Sequence, residues 1–118
     1  RVRLAEDCFV ESSHLCRILS NLLDNATEAC REIPNAEIHL TCMPVKDTLL
    51  MKTENPVSGS IPIQKNGLPA STKKEFGHGK GLASVKEIAQ HYNGSLQVQT
   101  DSRFFRATVI LFPDGRNA

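Results

Sequence analysis

Asn21-Leu22-Leu23-Asp24-Asn25-Ala26-Thr27-Glu28-Ala29 is the stretch whose reading decides the fold. Apolar residues at Leu15, Ile18, Leu19, Leu22, Leu23, Ala26, Ala29 and Cys30 recur at helical spacing, so residues 14–33 read as one amphipathic helix. Ser12-Ser13 offers an N-cap, and Pro34-Asn35 ends the run. Asn21 and Asn25 stand four residues apart, which puts both carboxamides on one helix face. Asp24 lies about 100° away from Asn25, and Glu28 falls close to the carboxamide face. An Asn oxygen is a hard, neutral ligand suited to magnesium alongside waters and phosphate oxygens. A solvated polar face, or an amide that caps a neighbouring strand, explains the same residues equally well.

About fifty residues later comes Gly77-His78-Gly79-Lys80-Gly81-Leu82. Alternating glycines let backbone N–H groups approach an anion closely and then present a helix N-terminus to it. Lys80 adds a point charge. The helix that follows, residues 81–92, has Leu82, Val85, Ile88 and Ala89 on one face. No G-x-x-x-x-G-K-[ST] run is present, and no clear strand leads into the glycines, which argues against a P-loop or a dinucleotide fold.

Elsewhere the pattern is of strands. Residues 1–10 read as a short edge strand, with Val2, Leu4 and Phe9 as its apolar positions. Residues 36–43 and 47–53 read as an antiparallel hairpin, and residues 95–100 and 104–112 as a second one around Asp101-Ser102-Arg103. Between them, residues 55–77 are irregular and basic, with three prolines and Lys65, Lys73 and Lys74, the pattern of a lid or binding loop. The order β-α-β-β-loop-α-β-β predicts an α/β (α+β) two-layer sandwich, a mixed and mainly antiparallel sheet with helices on one face.

The 118 residues fit one domain, with a formal net charge of +1 that gives no reason to expect a nucleic-acid partner. No apolar run approaches the roughly 20 residues of a membrane span. Cys8, Cys16, Cys30 and Cys42 match no zinc spacing and read as small buried hydrophobes. The chain starts at Arg1 and reads as a piece of a longer protein.

With both glycine and asparagine motifs in hand, the chain resembles the ATP-binding domain of sensor histidine kinases, in the GHKL superfamily with its Bergerat-type fold and a short lid. Asn21 to Ala26 resembles the N-box, and Gly77 to Leu82 resembles the G-x-G-x-G-L box that closes the lid. The similarity is greatest to the quorum-sensing and citrate-sensor subgroup. The resemblance implies ATP and Mg2+ as cofactors, with Asn25 on the metal and Asn21 supporting metal or phosphates. It implies that Gly77, His78, Gly79, Lys80, Gly81 and Leu82 surround the phosphate chain, and that Lys73 or Lys74 approaches the γ-phosphate. Asn21, Asn25 and Lys80 are the implied catalytic residues.

One departure stands out. Where the family carries D-x-G-x-G to read adenine, this chain has Glu54-Asn55-Pro56-Val57-Ser58-Gly59, so Asn55 replaces the Asp. An Asn accepts from the adenine amino group as a neutral acceptor and offers a donor as well. Hydrolytic members of the superfamily hold a Glu where this chain has Asn21, which cannot act as a general base. Transfer to a protein acceptor is therefore expected. His14, His39, His78 and His91 do not sit in a dimerisation helix, so the acceptor histidine is expected on a separate dimerisation and phosphoacceptor domain of the same parent, with a response regulator as indirect partner. A cytoplasmic domain of a membrane-anchored parent follows from the same resemblance. Alternatives are a serine/threonine kinase of the anti-sigma type and a degenerate nucleotide-binding or partner-binding module.

Overall fold

A computed structural model describes residues 9–57, 63–69 and 78–113, without the side chains of residues 78–80. Most of the expected first strand, together with Cys8, Lys73, Lys74, Gly77 and the side chains of His78 and Lys80, lies outside the described residues.

The first helix, α1 (Ser12–Ala29), buries Leu15, Ile18, Leu22 and Ala26, a stripe with the helical period read from the sequence. Its N-cap is Glu11 and not a serine, and no side chain caps it. The Glu11 carbonyl accepts from the Leu15 N–H at 2.9 Å, while the Glu11 N–H donates to the Tyr92 hydroxyl at 3.0 Å. A tyrosine from the other end of the chain thus fixes the start of the helix, and Ser12 and Ser13 are left exposed. The regular helix also stops four residues before the expected end. Residues 30–33 continue as tighter turns, with Ile33 N–H donating to the Cys30 carbonyl at 3.1 Å. Pro34 disfavours the helical conformation at Ile33, which forces this unwinding.

Two hairpins build the sheet: β1 (His39–Val45) with β2 (Thr48–Pro56), and β3 (Ser95–Thr100) with β4 (Phe104–Leu111). The strand order is β1-β2-β4-β3, and all three pairings are antiparallel. Lys46 takes a φ of 57° to close the first hairpin between Val45 and Thr48. Strand β2 runs three residues beyond its expected end, because Glu54, Asn55 and Pro56 pair with Arg106, Phe105 and Phe104 of β4. Both prolines in strands sit where a missing N–H is tolerated: Pro44 on the edge strand β1, and Pro56 beyond the last residue that pairs with β1.

The second helix, α2 (His78–His91), starts before the glycine run has ended, so Gly79 and Gly81 lie in its first turn. Both helices pack on one face of the sheet. Ile18 and Leu22 of α1, Leu82 and Val85 of α2, and Met51, Phe105, Val109 and Leu111 of the sheet form the centre of a single core. On β2 and β4 alternate residues are buried, as a sheet covered on one face requires. The described part of the basic loop folds onto the core. Ile63 and Pro69 bridge, Gly67 turns with a φ of 84°, and Leu68 inserts into the core. The Lys86 ammonium of α2 donates to the Asn66 carbonyl at 2.7 Å and ties this turn down.

Candidate functional site

The carboxamides of Asn21 and Asn25 are half-buried along the flank of the apolar stripe of α1. Neither is used in a hydrogen bond within the described residues. Asp24 is exposed and Glu28 half-buried, the latter bound to the Arg31 guanidinium one turn on. Asn21 meets the glycine segment directly. A Cβ added at Gly81 would sit 3.7 Å from the Asn21 Oδ1. The two motifs, distant in sequence, therefore converge where α1 packs against the first turn of α2.

A groove of about 650 Å3 opens at that junction, lined by Ser13, Cys16, Arg17, Ser20, Asn21, Gly81 and Ser84. Cys16 is exposed on its rim, against the expectation of a buried thiol, because it sits on the polar side of α1. Cys30 is buried as expected, its thiol donating to the Ala26 carbonyl. Leu82 is fully buried in the core, which leaves its backbone as the part able to face a phosphate.

Asn55 lies at the end of β2, 2% exposed. Its Nδ2 donates to the Pro56 carbonyl at 3.0 Å, while its Oδ1 is buried without a partner among the described residues. Two residues earlier on the same face, the Thr53 hydroxyl is equally buried and unpartnered. Leaving a buried acceptor unsatisfied costs about 1–3 kcal/mol, so such atoms call for a ligand. In the sequence, Thr53 is marked only as a threonine at an inward position of an alternating strand. Asn55 also borders a second cleft of about 550 Å3, just past the C-terminal end of α1 beside Ile33 to Glu37, but this cleft is lined largely from the open face of the sheet by His39, Glu54, Phe104 and Arg106. Asn55 and Asn21 do not share a pocket among the described residues.

On the opposite face of β2, Glu54 accepts from the Arg106 guanidinium at 2.7 Å, and this hydrogen bond holds its carboxyl below the usual range. Among the described residues no cluster of three or more His, Cys, Asp or Glu side chains could hold a metal. Carboxamide, water and phosphate oxygens form a set that magnesium accepts. Nor is any helix of the described residues long and apolar enough to cross a membrane. His14 is half-buried, its Nδ1 2.7 Å from the Tyr92 hydroxyl, whereas His39 and His91 are exposed.

A family model described as the GHKL domain matches residues 10–112, which takes in both motifs and nearly all of the chain. The chain belongs to the GHKL domain family. This GHKL domain is 33% identical over 119 residues to the sensor histidine kinase CusS of Escherichia coli O6:H1 (strain CFT073), covering 92% of the chain and 24% of CusS. It is 31% identical over 86 residues to the C4-dicarboxylate transport sensor protein DctB of Rhizobium meliloti (strain 1021), covering 71% of the chain and 14% of DctB. The domain thus spans a quarter or less of the curated relatives it matches. In fold it is similar to the catalytic domain of histidine kinase ThkA, with a TM-score of 0.68 at 23% identity over 91% of this chain and 72% of that one. The α/β sandwich expected from the element order is the sandwich observed.

Proposed function

We propose that this GHKL domain is the ATP-binding catalytic domain of a two-component sensor histidine kinase. It binds ATP with magnesium and passes the γ-phosphoryl group to a histidine on the dimerisation and phosphoacceptor domain of its parent. A response regulator then takes the group onward, and the domain works on the cytoplasmic side of a membrane-anchored parent.

The observation that carries this reading is the close approach of Asn21 to Gly81 across one groove, which brings the asparagine face of α1 to the glycine turn of α2. The Asn55 Oδ1, buried and unpartnered, suits the adenine amino group as donor. The two free carboxamides suit a magnesium ion, with Asn25 as its protein ligand and Asn21 supporting it. Bound there, magnesium neutralises charge on the phosphate oxygens. The backbone at Gly79 and Gly81, in the first turn of α2, offers N–H groups and the positive end of the helix dipole to the phosphate chain. Lys80 adds a positive charge to the same turn.

Asn21 carries no basic group, so nothing at that position activates water. On this reading the acceptor is an imidazole. Its nitrogen lone pair forms a bond to the γ-phosphorus, the bond from phosphorus to the bridging oxygen breaks, and that electron pair leaves with ADP. The proton on the other ring nitrogen passes to a base outside this domain. Positioning and charge stabilisation dominate such a transfer, which suits a site without a base.

The test is phosphotransfer in trans. The domain is mixed with the phosphoacceptor domain of its parent and γ-labelled ATP. Acid-labile, alkali-stable phosphate on a histidine is the expected product. Acid-stable phosphate on serine or threonine would replace this reading with the anti-sigma type of kinase.

A further inference from the structure

We propose that Arg17 binds the terminal phosphate of the nucleotide, and that the groove beside it is where the phosphoryl group leaves the domain. The proposal rests on the nucleotide reading above and adds a direction and a residue to it.

The direction comes from the two ends of α1. Asn55, whose oxygen is unpartnered among the described residues and fits the base, stands next to the Glu54–His39 pair at the start of β1, which follows the C-terminal end of α1. Asn21 and Gly81 share a groove with Ser13, near the N-terminal end. A nucleotide with its base at Asn55 therefore runs its phosphates toward the start of α1. Arg17, Asn21 and Asn25 lie on one helix face at four-residue spacing. Each step of four residues advances about 6 Å along the axis. Arg17 is the next residue on that face after the approach of Asn21 to Gly81.

The chemistry of the groove agrees. Its lining has three hydroxyls, a thiol, a carboxamide and one guanidinium, with no carboxylate. The first turn of α1 likewise has no acidic residue. The Arg17 side chain is exposed, and no hydrogen bond or ion pair among the described residues uses it. A guanidinium is permanently charged and presents a planar fork of donors that matches phosphate oxygens two at a time. Among the described lining residues, a terminal phosphate reaching this groove meets the Arg17 guanidinium and no carboxylate.

Titrations of ADP and of β,γ-imido-ATP, each with magnesium, test this on the wild type, Arg17→Ala and Arg17→Lys. Arg17 is exposed, so neither variant disturbs the core. Arg17→Ala should weaken imido-ATP about tenfold and ADP less than about twofold, with Arg17→Lys recovering part of the loss. Cys16, on the rim of the same groove, supplies an independent readout. Its alkylation, followed by peptide mass spectrometry, should be slower with imido-ATP bound than with ADP bound. Equal weakening of both nucleotides, no weakening of either, or equal Cys16 alkylation in the two complexes would overturn the proposal while leaving the nucleotide reading intact. Failure of the wild type to bind either nucleotide would overturn both.

Discussion

Asn55 and Gly81 are the residues at which function and stability separate most cleanly. Asn55→Ala removes one hydrogen bond to the Pro56 carbonyl but also removes a buried acceptor that lacks a partner. These effects oppose each other at about 1 kcal/mol each, so the free domain should unfold in urea within about 1 kcal/mol of wild type. Its affinity for ADP should nonetheless fall about tenfold, because the adenine amino group loses its acceptor. Unchanged ADP affinity in that variant would remove Asn55 from the site. At Gly81 an added Cβ makes an ordinary contact of 3.7 Å with Asn21. Gly81→Ala in the first turn of α2 should therefore stabilise the free domain by up to about 1 kcal/mol while weakening nucleotide binding. Thermal unfolding and a nucleotide titration on the same sample check both halves. Asn55 was a legible candidate because it stands where the resemblance puts an adenine-reading residue. Thr53 was not, since a threonine in a strand carries no sign that its hydroxyl will be buried without a partner.

At the scale of elements, the helices and hairpins were legible from periodicity, and their ends were not. The ends depend on contacts from far along the chain. The Tyr92 hydroxyl sets the start of α1, and pairing with β4 extends β2 through Asn55. The link between α2 and β3 is the tightest of these joints. Asn93 turns with a φ of 56°, and the Gly94 N–H closes the helix by donating to the Ala89 carbonyl at 2.8 Å. A Cβ on Gly94 would fall inside the Ile110 carbonyl oxygen and within 3.1 Å of the Leu111 Cα, both backbone atoms of a central strand. Gly94→Ala should cost about 2–3 kcal/mol in chemical denaturation, since strand β4 must move to admit it. A loss below about 0.5 kcal/mol would mean that the joint yields more easily than this packing implies.

For the whole molecule, the sheet and its two helices form one core, and the proposed nucleotide face spans α1, α2 and the end of β2. The sandwich was legible because each element repeats its own period and the element order admits few arrangements. The convergence of Asn21 on Gly81 was not legible from spacing, since it depends on how two helices pack across a sheet. Family resemblance supplied that pairing before the fold did. Calorimetric titration of magnesium with ADP, ATP and GTP into the wild type and Asn25→Ala tests the central claim most directly. The account predicts magnesium-dependent binding of ADP and ATP in preference to GTP, lost in Asn25→Ala while that variant keeps its cooperative unfolding. Binding of ATP to Asn25→Ala as tight as to the wild type, or no nucleotide binding to either, would contradict it.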